Sequence, residues 1–340
     1  MERYLKSRYK IGEKLGENPF SVTYQGSYLG TENAVIVKIY KRGTLSNTLI
    51  KSMREKVKVL ERLNHPLIAK LVDGDYGWQG FYYVREYVPG KTLAEVLKET
   101  GPFSLDEALR LGEEICEALW ICHQEGIVHG ALNPQNIFLT PEGHIKLADL
   151  VIEGEIRESI PQKTQHLFEG ADFASPEELS GAPADKRSDI YSLGLLVYLM
   201  LTGKRPFNPT GTLKSLESVP KRMKELPPPP SAFNQALPKT IDDILLKALN
   251  PDPQLRFATV RDFKDSLHSR NLVLVAQSSD LPPVSYDNSG PAPKKPKEKG
   301  PKAKGAPLMS RAIVVLILRL LVIAIISGLV YALVQTIINQ

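Results

Sequence analysis

The sequence predicts an α+β protein of two lobes, a small β-rich one followed by a larger helical one, with a transmembrane helix after them. Three observations carry this expectation. Residues 1–90 hold β-branched and aromatic runs broken by Gly and Asn, and residues 93–269 change to helical periodicity. Residues 312–334, "AIVVLILRLLVIAIISGLVYALV", run for 23 positions with one charge, enough to span a bilayer as a helix. The boundaries expected are a small lobe over about 1–88, a large lobe over about 89–270, a linker over 271–310 and an anchor over 311–338.

In the small lobe, "YKIGEKLG", "FSVTYQGSYL", "NAVIVKIY" and "GFYYVREYV" read as antiparallel strands. One helix interrupts them, "LIKSMREKVKVLERL", stopped by Asn-His-Pro. In the large lobe, "SLDEALRLGEEICEALWICHQEG" opens with a Ser104/Glu107 capping box and closes at Gly126. "SDIYSLGLLVYLMLTG" is apolar almost all round and too short to span, as expected of a central helix. Cys116 and Cys122 are the two cysteines, and their spacing puts them on different faces of one helix, so no disulfide is expected.

Charge is unevenly distributed. The formal net charge is +5, but from Pro291 onward six lysines and two arginines face one acid, a local +7 that leaves about −2 on residues 1–290. A nucleic-acid partner is therefore not expected. The Pro- and Lys-rich linker buries little and its lysines precede the apolar run, which predicts contact with anionic lipid and a cytoplasmic body. "MERYLKSRYK" carries no signal-peptide pattern, and only six residues follow Val334. The buried charge of Arg319 predicts that its face of the span meets another membrane helix.

Short motifs in a fixed order then cover residues 9–268, and together they resemble the eukaryotic-like (Hanks-type) Ser/Thr protein kinases of bacteria. The resemblance implies the two-lobed protein-kinase fold. It also implies three structural residues: Glu177 in "SPEE", Asp189 in "SDIYSLG" as anchor of the catalytic loop, and Arg256 in "PDPQLRF" as the partner of Glu177. His65-Pro66, Gly90 and Gly126 match as well.

Its catalytic motifs are altered. The glycine-rich loop is "GENPFSV": Gly16 and Val22 remain, while Asn18, Pro19 and Ser21 weaken a phosphate cradle without abolishing it. Lys38 stands where the family's strand lysine contacts phosphate, with Ile36 adding bulk above the adenine site and Phe138 below it. The hinge backbone falls at Glu86 to Val88, which puts Arg85 at the back of the pocket, where a guanidinium must find a partner. The helix acid that should pair with Lys38 falls on Lys56; either neighbouring Glu55 serves, or the pair is absent. Arg85 could equally turn toward Glu55.

The catalytic loop, usually H-R-D-L-K-P-E-N, is "HGALNPQN". Ala131 stands at the general-base position and Asn133 at the catalytic-lysine position, while His129 is expected to pack structurally. Gly130 removes the arginine that would receive a phosphate on Ser159 or Thr164. Asn136 and Asp149 remain as the two Mg²⁺ ligands, and Val151 replaces the glycine of D-F-G.

The reading is a membrane-anchored pseudokinase with impaired phosphotransfer, acting in signalling or scaffolding with a cytoplasmic protein partner. Two alternatives stay open: an atypical active Ser/Thr kinase using ATP and Mg²⁺, and an interaction module whose pocket is filled by Ile36, Arg85 and Phe138.

Overall fold

The computed structural model describes residues 3–31, 33–77, 79–150, 154–156, 170–208 and 220–278. They belong to the first of the chain's two units, Met1–Leu281. Val151, Ser159, Thr164, the linker from 279 onward and the apolar run with Arg319 lie outside the described residues. Among the described residues, no helix is long and apolar enough to cross a membrane.

The small lobe is a six-stranded antiparallel sheet in the order β1 (Arg3–Leu5), β2 (Tyr9–Glu17), β3 (Ser21–Tyr28), β4 (Ala34–Tyr40), β6 (Gly80–Glu86), β5 (Leu71–Gly77). The four predicted strands are β2, β3, β4 and β6. The two edges, β1 and β5, escaped the pattern because they are short or, in "LVDGDYG", rich in Asp and Gly. Short polar edges of this kind resist further strand pairing.

Period-two alternation divides β4 and β6 between two cores. Val35, Val37, Ile39, Tyr82 and Val84 pack with Leu5, Tyr9 and Ile11, whereas Tyr40, Phe81 and Tyr83 join the core that continues into the large lobe. In the ladder, Ile36 lies opposite Arg85 and Lys38 opposite Tyr83. Lys38 and Arg85 therefore share the face of the buried tyrosines, turned toward the large lobe. α1 (Asn47–Leu60), capped by Ser46, buries Ile50, Met53, Val57 and Leu60 beneath this sheet.

A second sheet, β7 (Lys91–Thr92), β8 (Ile137–Leu139) and β9 (Ile145–Leu147), lies at the start of the large lobe with α2 (Leu93–Thr100). α3 (Leu105–Gln124) has half of its expected capping box: Ser104 accepts the Glu107 amide at 3.3 Å, but the reciprocal carboxylate bond is not formed. Gly126, at φ +70°, follows its last turn in the left-handed conformation that ends helices. α4 (Pro176–Leu179), α5 (Lys186–Thr202), α6 (Lys239–Ala248) and α7 (Val260–Ser278) complete the lobe. α5 is buried on nearly every side, as its apolar sequence requires. α7 continues to Ser278, past residue 270 where the linker was expected.

Candidate functional site

The catalytic-loop segment, residues 127–136, is held by one buried carboxylate on α5. Asp189 Oδ2 accepts the His129 amide at 2.9 Å, its Oδ1 accepts the Gly130 amide at 2.9 Å, and His123 Nε2 lies 2.8 Å from Oδ2. The ring that meets Asp189 thus belongs to His123, which the sequence motifs do not single out. His129 is fully buried, and its Nδ1 accepts the Ala131 amide at 3.3 Å, an arrangement that shapes the loop and is unsuited to a substitute base.

Ala131 and Asn133 follow in this frame. The Ala131 carbonyl accepts both the Asn133 amide at 2.9 Å and the Asn136 amide at 3.0 Å, while Asn133 Oδ1 accepts the Gln135 N–H at 2.8 Å. Asn133 therefore acts as a brace within the loop, where a lysine ammonium would have only donated. Gly170, at φ +79°, closes over it, and an added Cβ would lie 2.5–2.7 Å from the Asn133 side chain. Gly170→Ala is expected to cost at least about 1–2 kcal/mol from the backbone conformation alone, read as a lowered urea midpoint.

Asp149 sits at φ 59° at the end of the β9 strand region, and it does not stand open to the cleft. Arg85 Nε donates to Asp149 Oδ1 at 2.9 Å, with the two side chains 7% and 11% exposed. The same guanidinium donates from Nη1 to the Glu86 carbonyl at 3.1 Å and lies 5.1 Å over the Phe138 ring. Burial alone would raise the Asp149 pKa, but the charges of Arg85 and then Lys38 outweigh it and hold the carboxyl below its usual range. Burial, joined by the nearby Asp149 charge, pushes the phenols of Tyr40 and Tyr83 well up.

The expected roles of α1 need correction. Glu55 does not serve the site: it is exposed and bonds Lys58 on its own helix at 3.0 Å. The rotation of about 100° per residue puts it outside, and Arg85 turns to Asp149 instead. Lys56, on the inward side, bonds Glu155, which Ser52 also approaches at 3.4 Å. Helix α1 is thus joined to the 154–156 segment, a contact that no motif announces. Gly130 and Gly154 allow that segment its close approach, since a Cβ on Gly154 would lie 3.0 Å from the Gly130 backbone.

At the mouth of the cleft, Gly16 pairs with Thr23, and Val22 pairs with both Glu17 and Ile39. The turn between β2 and β3 is filled by its own side chain. Asn18 Oδ1 accepts the Phe20 amide at 2.9 Å, the Ser21 amide at 2.7 Å and the Ser21 hydroxyl at 3.2 Å. Pro19 has no N–H, so positions 19–21 turn no backbone donor outward. The sequence predicted a weakened cradle; the structure shows an Asx turn in which these backbone donors are already bonded to a carboxamide oxygen. Glu17 bonds Lys14 and Lys41, which hold its pKa down to about 2.

Further back, Val88 clusters with Ala69, Ala148 and Phe138, and Glu86 pairs with Lys146. Two structural residues lie distant from the cleft. Arg256 holds Glu177 in a two-pronged pair, Nη1 to Oε1 at 2.7 Å and Nη2 to Oε2 at 2.8 Å.

A small sheet lobe, a helical lobe and this ordered loop between them have a counterpart in known proteins: the model of the protein kinase domain matches residues 9–268. The chain belongs to the Hanks-type Ser/Thr protein kinase family of bacteria. Over 261 residues this kinase domain is 32% identical to a probable serine/threonine-protein kinase of Clostridium perfringens, covering 76% of this chain and 38% of that protein. It is 30% identical to the serine/threonine-protein kinase PrkC of Bacillus subtilis, covering 76% and 40%, and 32% identical to PknB of Mycobacterium tuberculosis, covering 78% and 43%. The chain thus matches about two fifths of the length of these curated relatives.

The family uses ATP with Mg²⁺, and both implied metal ligands, Asn136 and Asp149, are present in this kinase domain. As arranged they do not fit a divalent ion, because the Asp149 carboxylate already carries the Arg85 guanidinium. The motif-bearing residues of the cleft were legible by position. Their partners, His123, Glu155 and the internal turn of Asn18, were set by contacts that only folding creates.

Proposed function

We propose that this kinase domain is a pseudokinase, retained as a signalling or scaffolding module and anchored in the membrane by residues 311–338. The observation that carries the reading is Ala131. Its backbone stands in a loop fixed by Asp189, yet the position offers a methyl group where proton transfer needs an acid. General acid–base assistance is typically worth about 10²- to 10⁴-fold. Asn133, a neutral carboxamide engaged within the loop, stands where the family's lysine would supply a charge that stabilises transfer.

With chemistry lost, the surface of the fold is the functional part, and its partner is a cytoplasmic protein. The Lys-rich linker supports a position beside anionic lipid, and Arg319 supports contact with another membrane helix. The test is transfer from radiolabelled ATP to generic acceptors by the 340-residue chain in detergent. Incorporation is expected to stay at the level of the Asp149→Ala variant. Turnover that disappears on Lys38→Ala or Asp149→Ala would overturn the reading in favour of an atypical active kinase.

A specific observation favours the third reading, an interaction module without nucleotide: Arg85, stacked on Phe138 and paired with Ile36 across the ladder, occupies the back of the pocket. Absence of a melting-temperature shift at millimolar ATP would support it.

A further inference from the structure

The Arg85 guanidinium is fixed from three sides. Its Nε is on Asp149 Oδ1 at 2.9 Å, its Nη1 is on the Glu86 carbonyl at 3.1 Å, and its plane lies 5.1 Å over Phe138. The antiparallel register sets its strand position, with Ile36 directly opposite. This is a positive charge with defined geometry, 7% exposed, on the carboxylate that the family presents to metal.

We infer that Arg85 is a built-in cation that takes the place of a divalent metal at Asp149, so that the cleft excludes Mg²⁺ and Mn²⁺. Like charges in a site of low dielectric repel strongly, so a divalent ion can reach this carboxylate only by displacing the guanidinium. Displacement would strip Arg85 of its carboxylate while it remained buried, a costly state. Lys38 adds a second positive charge near Asp149.

The mouth of the cleft agrees with this. A metal in a kinase cleft is held jointly by protein and phosphates, and here the turn donors of Phe20 and Ser21 are on Asn18. The carboxamide stands in for the anion at one end as the guanidinium stands in for the cation at the other. The inference rests on the reading of the cleft as catalytically silent. Its test reads metal binding and not phosphotransfer, so each can fail without the other.

The experiment is Mn²⁺ titration of the 340-residue chain, followed by electron paramagnetic resonance of the free ion, with and without ATP. Wild type is expected to bind no more Mn²⁺ than Asp149→Asn, a variant that keeps an acceptor oxygen for Arg85. Arg85→Met is expected to gain a Mn²⁺ site at least tenfold tighter than any in wild type, and to lose it in the Arg85→Met/Asp149→Asn double variant. Arg85→Gln keeps a hydrogen-bond donor to Asp149 and is expected to show the same gain should the methionine variant fail to fold. A wild-type Mn²⁺ site that disappears in Asp149→Asn overturns the inference, as does a folded Arg85 variant that gains no site.

Discussion

Replacing Arg256 with methionine is expected to lower the unfolding free energy by about 3–5 kcal/mol, measured by urea denaturation. The arginine side chain is 0% exposed, and all its donors are engaged: two on Glu177, the others on the carbonyls of Asn250, Pro251 and Arg187. Its guanidinium also lies 4.8 Å over the Tyr191 ring of α5. Methionine fills much of the volume but leaves the Glu177 carboxylate, 14% exposed, with Ser188 as its remaining side-chain donor at 2.6 Å. Since domains are stable by about 5–15 kcal/mol, the loss is a large share of the total.

The same variant changes the response to acid. Burial would raise the Glu177 pKa, but the Arg256 hydrogen bonds and charge prevail and hold it below its ordinary 4.5. A group whose folded pKa is depressed stabilises fully above its unfolded value, and that stability is lost as pH falls through the folded value. Wild-type stability from this group should therefore be constant from neutral pH down to about pH 5 and decline below about pH 4.5. In Arg256→Met the depression is gone and burial raises the pKa, so the gap between variant and wild type narrows as the pH falls. A gap that stays constant from pH 7 to pH 3 would show that Glu177 does not owe its pKa to Arg256.

Asp189→Ala is expected to cost about 4 kcal/mol or more, because three buried donors lose their acceptor at about 1–3 kcal/mol each. Those donors are the His129 and Gly130 amides and the His123 ring. Hydrogen exchange should locate the loss, with protection falling first at 129–131 while the small-lobe sheet keeps its own. Asp189→Asn retains one acceptor oxygen and should recover part of the stability. Equal loss in both variants would mean that carboxylate charge, more than the count of acceptors, holds the loop.

Much of this was visible in the sequence because its physical basis is local. Alternation in "NAVIVKIY" places Val35, Val37 and Ile39 on one side and Lys38 on the other, whichever protein contains it. The all-round apolar character of α5 can be satisfied only at the centre of a lobe. Ala131, Asn133, Asn136 and Asp149 were placed by motif spacing within one loop and its neighbouring strands. The edge strands were missed because "LVDGDYG" is a strand through its pairing with β6, and not through its own propensity.

What the sequence by itself determined was the order of the elements, the membership in the kinase family and the absence of an acid at position 131. Tertiary structure decided which charges meet. Glu55 and Lys56 are neighbours in the chain, yet one faces solvent and the other Glu155, since a helix turns about 100° per residue. The sequence offered Glu55 as the carboxylate for Arg85, and the sheet register delivered the guanidinium to Asp149 instead. A buried ion left without a partner is strongly destabilising, and which partner it meets depends on distances between segments far apart in the chain.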